Sequence, residues 1–72
     1  MPRFILNQNQ QANGDQEIHN KTTGCFRMPA PSNQIDLGEY LSCHGAVLEA
    51  KLRYPSAKID GCAHCCPSCH TS

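Results

Sequence analysis

The last twelve residues, "GCAHCCPSCHTS", hold four of the chain's six cysteines and two of its four histidines. Cys62 and Cys65 frame one CxxC pair, and Cys66 and Cys69 frame a second that His70 follows directly. Two thiolates at this spacing converge on one zinc ion at about 2.3 Å, because a tight turn aims both sulfurs inward. A structural tetrahedron then needs two more ligands. The tail also contains "CPSCH", the attachment pattern of a c-type haem. On that reading Cys66 and Cys69 form the thioether bonds, His70 is the proximal ligand, and Met28, Met1 or a histidine is the distal one.

Composition explains why such a tail matters. Seventy-two residues with no Trp, two Phe and two Tyr bury only a small core, and chains of this size usually need a disulfide, a metal or an oligomer interface as a staple. "MPRFILNQNQ" has too short an apolar run for a secretory leader, and no run approaches a membrane span. The chain therefore reads as cytoplasmic and monomeric, with no membrane partner. Reducing conditions there turn clustered cysteines toward metal or redox roles rather than structural disulfides. The formal net charge is zero and the six Lys and Arg are scattered, so nucleic acid is not an expected partner and a protein is.

The elements that must position the ligands follow from local pattern. "RFILNQ" and "QEIHNKT" read as a hairpin around "NGD" at Asn13 to Asp15, with Ile18 on one face and Glu17 and an exposed His19 on the other. The polar tract between them makes residues 1–16 partly disordered on this reading. "GCFRMPAPS" suggests a second hairpin through Cys25. The helix candidate runs from Ser42, a possible N-cap, to Tyr54 before Pro55. An earlier start at Asp36, with Glu39 three residues on, would enclose Gly38 and Gly45. At 100° per residue, Cys43, Ala46, Val47, Ala50 and Tyr54 share the core face, and Leu48 and Leu52 lie beside His44, expected partly buried under the hairpin. The predicted whole is a single α+β domain over 1–72, a metal-stapled fold with short hairpins, one helix and a knuckle in the Cys/His-rich tail 62–72.

Cys25 is the preferred third ligand, since it follows Gly24 and lies far enough from the tail to tie the hairpin to it. His19, on the same hairpin, is the natural fourth. Cys69, His70 and Cys43 are alternates, and a tetrad of Cys25, Cys62 and Cys65 with Cys69 or His70 stays open. Cys66 is then a spare thiol whose replacement should matter little. A thiol-redox role for "CAHC" or "CPSC" is weakened by the lack of a helix of useful length after either. No HExxH motif or carboxylate pair accompanies the cysteines, so no enzyme is expected.

"HNKTTGCFRMP", "SCHGAVLEA" and "GCAHCCP", spanning roughly residues 19–67, resemble the small zinc-binding module of the Ada DNA-repair protein and of some nuclease tails. The resemblance implies a small bacterial metal-binding module in which His19, Cys25, Cys62 and Cys65 hold zinc. The basic residues that flank the CxxC of those modules are missing here, and Cys43, Cys66, Cys69 and His70 are extra.

Overall fold

The computed structural model describes residues 1–12 and 14–71. Four strands form one mixed sheet: β1 (Arg3–Asn7), β2 (Asp15–Asn20), β3 (Gln34–Glu39) and β4 (Lys58–Gly61), in the spatial order β3-β1-β2-β4. β1 pairs antiparallel with both β2 and β3, and β2 pairs parallel with β4. The single helix, α1 (Cys43–Arg53), links the two edge strands and touches all four strands on the way. The expected α+β class, amino-terminal hairpin and single helix are all present.

The hairpin forms because Phe4 and Leu6 alternate with Ile5, and Ile18 faces Leu6 across the ladder. Phe4, Leu6, Ile18 and Leu37 pack with Cys43, Ala46 and Ala50 of α1 into one apolar cluster. Small residues on the helix let it lie close to the sheet. The "NGD" turn falls within the Gln8–Gly14 connection, of which Asn13 lies outside the described residues. α1 starts after Ser42, whose side chain makes no capping hydrogen bond, and stops at Tyr54 before Pro55.

Three expectations are corrected. The segment 34–39 is an edge strand, not the start of a longer helix: Leu37 is an extra residue opposite the Phe4–Ile5 step, a bulge that Gly38 accommodates at φ +100°. Cys25 lies in the connection between β2 and β3, outside any second hairpin. Leu48 and Leu52 are exposed, at 66% and 78%, because the hairpin packs on the opposite side of α1 from them.

Candidate metal centre

β2 is the strand on which the centre is assembled. His19 sits beside Ile5 across the β1–β2 ladder, on the face away from the apolar cluster, and is completely buried instead of exposed as the alternation suggested. The chain reverses straight after it. The Asn20 side-chain oxygen accepts hydrogen bonds from the Thr22 and Thr23 N–H groups, and the Gly24 N–H donates to the Asn20 carbonyl. That Asx-type turn brings Cys25 back toward His19.

From the other side, β4 runs parallel to β2 and delivers the tail. Past the last strand pair, Ile18 with Gly61, the Cys62 N–H still donates to the Ile18 carbonyl at 2.9 Å, which continues the register and sets Cys62 beside His19. A single turn follows, closed by the Cys66 N–H on the Cys62 carbonyl at 2.8 Å, and it folds Cys65 back so that its Sγ accepts the Asn20 N–H at 3.3 Å. Amide hydrogen bonds of this kind stabilise a thiolate.

The donor atoms of His19, Cys25, Cys62 and Cys65 all lie within 4.8 Å of one another. Cys25 Sγ is 3.8 Å from Cys62 Sγ, and Cys65 Sγ is 3.5 Å from His19 Nδ1. A zinc tetrahedron with bonds of about 2.3 Å to sulfur and about 2.0 Å to nitrogen has edges of about 3.8 Å between sulfurs and about 3.5 Å between sulfur and nitrogen. The two measured edges match those values, and the sulfur–sulfur distance is well beyond the roughly 2.05 Å of a disulfide, so the group could hold a metal ion. His19 Nε2, buried without a hydrogen-bond partner, faces Glu17 Oε1 at 3.7 Å. A carboxylate behind the second ring nitrogen is the arrangement that orients metal-bound imidazoles.

Electrostatics bears on how the site would be filled. Burial holds the His19 imidazole below its ordinary pKa against the pull of Glu17, with Arg27 adding to the effect, so the ring favours its neutral form. Burial pushes the Cys65 thiol far up, the Asn20 N–H only partly offsetting it, and takes Cys66 to about 11. Gathered thiols of this sort resist ionising together unless a cation joins them.

The alternates Cys43, Cys69 and His70 stand elsewhere. Cys43, the first residue of α1, is disulfide-bonded to Cys69 in the 3-10 turn Pro67–Cys69, although the compartment reading had left both as thiols. His70 Nδ1 lies 3.1 Å from the Gly61 carbonyl oxygen and 3.3 Å from Asp60 Oδ2. Cys66 is not a spare surface thiol but part of the apolar cluster, 2% exposed. With Cys69 bonded and Cys66 inside, neither sulfur of "CPSCH" is free at the surface.

Two contributors to the site escaped the sequence reading. Glu17 carries no motif; its alternation with His19 was the available signal. Gly61 looked like a turn residue, but it ends β4, and a Cβ there would stand 2.6 Å from Cys69 Cβ and 2.8 Å from the Cys66 carbonyl oxygen. Its lack of a side chain is what lets the tail fold over the strand. Comparison of the chain with protein-family models, curated proteins and solved structures gave no match.

Proposed function

We propose that the protein is a small zinc-binding domain whose ion, held by His19, Cys25, Cys62 and Cys65, has a structural role, and that the stapled fold serves as a binding module for a protein partner. The observation that carries the reading is the meeting of four donors from three separate chain segments within 4.8 Å of one another, with the Cys25–Cys62 and Cys65–His19 distances matching edges of a zinc tetrahedron. Four protein ligands leave no open position for a substrate, which separates a structural ion from a catalytic one. The same four residues are the ones the Ada-type resemblance implies.

The loops that carry the ligands also offer a contact surface. Phe26, next to Cys25, is 82% exposed and meets the ring of His64, inside the CxxC, edge-on at 4.6 Å. An exposed aromatic held on a metal-braced loop is a rigid anchor for a partner. A scattered charge distribution favours protein over nucleic acid in that role.

Metal analysis combined with a thiol count on native protein tests the reading. The expected result is one zinc per chain and a loss of fold on chelation, because binding free energy on the order of 10 kcal/mol is coupled to folding in such sites. Protein that takes up no zinc and ignores the chelator would refute it.

A further inference from the structure

We propose that Cys43, His44 and Cys69 form a second, redox-gated zinc site, closed while the Cys43–Cys69 disulfide persists and opened by its reduction. The two sulfurs are joined in the disulfide, and a ring nitrogen of His44 lies within 4.8 Å of both, so reduction would free two thiols beside an imidazole. The group shares no residue with the His19 centre. It sits at the opposite end of the tail's function: one pair of cysteines stays as thiols beside β2, the other is joined across α1 and the 3-10 turn.

Three features distinguish this group from a disulfide that merely staples. Cys43 and His44 open an eleven-residue helix, where the positive end of the macrodipole favours a thiolate. The Ser68 hydroxyl lies 3.3 Å from Cys43 Sγ, placed to donate a hydrogen bond to that thiolate. His44 is exposed, its Nδ1 stands 3.4 Å from the Ser42 hydroxyl, and a ring nitrogen lies within 4.8 Å of both sulfurs.

A cavity of about 270 Å³ lies against the group, lined by His44, Val47, Leu48, Ser68, Cys69 and Thr71. It is large enough to admit water beside His44 and Cys69, so a water can complete the tetrahedron. Two thiolates, the Cys43 one from the core side and the Cys69 one from the cleft, with one imidazole and a water make a site with an exchangeable position, unlike the closed shell at His19. A dithiol opens it: the Cys43–Cys69 bond takes up two electrons and two protons, giving two thiols, while the dithiol becomes a cyclic disulfide. Zinc then displaces the two thiol protons as it binds both sulfurs and the imidazole.

The test is zinc content per chain after equilibrium dialysis of the full protein, oxidised and after reduction with a phosphine, which consumes water to become its oxide and adds no competing thiol. Reduced protein is expected to hold one zinc more than oxidised protein. In reduced His44→Ala, which alters only an exposed side chain, the extra ion should be lost or bound at least tenfold more weakly; in Cys43→Ala/Cys69→Ala it should be absent. Equal zinc in the two redox states, collapse of the fold on reduction, or an extra ion held as tightly by either variant would overturn the proposal. Loss of zinc from the His19 centre would also show in Cys43→Ala/Cys69→Ala, which keeps that centre's four donors, so the excess of the parent protein over this variant reads the second site alone.

Discussion

His19 Nδ1 and Cys65 Sγ, 46 positions apart in the chain, stand 3.5 Å from one another at the end of β2. The Asn20 N–H, one residue on from His19, holds the same sulfur at 3.3 Å. Two neighbouring residues of one strand thus fix the second cysteine of the knuckle, one through the donor atom beside it and one through the amide.

The two kinds of tail cysteine should separate under mutation. Cys62→Ser removes a fully buried donor from the centre and is expected to abolish zinc retention and most of the folded signal in circular dichroism. Cys66→Ser should leave one zinc per chain but cost about 1–3 kcal/mol in urea unfolding, since it places a hydroxyl in the apolar cluster. Loss of zinc from Cys66→Ser with retention by Cys62→Ser would move the knuckle to Cys66.

Glu17→Gln tests the support behind His19. The carboxylate lies 3.7 Å from an otherwise unpartnered Nε2, and loss of such support typically weakens metal binding about 10–100-fold. Competition against a chromophoric chelator should show that drop with the far-ultraviolet spectrum of the zinc-loaded protein unchanged.

Zinc affinity should fall as the solution is acidified. The raised Cys65 pKa means that its proton must leave when the ion binds, so affinity climbs with pH by at least about tenfold per unit through the neutral range. His19 adds little to this, because its pKa is lowered and the ring is already neutral there. Calorimetry in buffers of different ionisation enthalpy should register at least one proton released per zinc.

Gly61→Ala should be among the most damaging small substitutions in the chain. The new methyl meets Cys69 Cβ and the Cys66 backbone oxygen at 2.6 and 2.8 Å, and neither is the far end of a flexible side chain. Overpacking of this type costs about 1–3 kcal/mol, measurable as a lowered urea midpoint.

Asp60 ties down the same tail through the Thr71 N–H at 2.8 Å and its hydroxyl at 3.0 Å. Burial works against the charged carboxylate, yet these bonds, the Gly61 N–H and His70 together hold its pKa below the ordinary 3.8. The stability it adds is therefore complete above about pH 3.8 and is lost as pH falls through the lowered folded value. Asp60→Asn should lower stability at neutral pH by about 1–3 kcal/mol in urea unfolding and flatten the acid limb of the stability curve.

Local pattern was enough to read the elements whose signals are local. The apolar run of "RFILNQ", the "NGD" turn and the alternation in "QEIHN" marked the hairpin, and Pro55 bounded the helix at its end, while its start stayed open between Ser42 and Asp36. β3 was not legible in that way, because its core contact depends on a bulge at Leu37 and Gly38 that only pairing with β1 defines. The tail is the sharper case. Spacing showed that Cys62 and Cys65 can share an ion, and equally that Cys66 and Cys69 can.

By itself, then, the sequence determined the donor inventory, the CxxC geometry, the need for a staple and the α+β class. The tertiary structure decided which cysteines meet. The parallel register of β4 on β2 sets Cys62 beside His19, the single turn after it returns Cys65 to the Asn20 amide, and the missing side chain at Gly61 lets Cys69 cross to Cys43 on α1. Each of these contacts joins residues far apart in the chain, and their energies depend on strand pairing and close packing that no local spacing encodes.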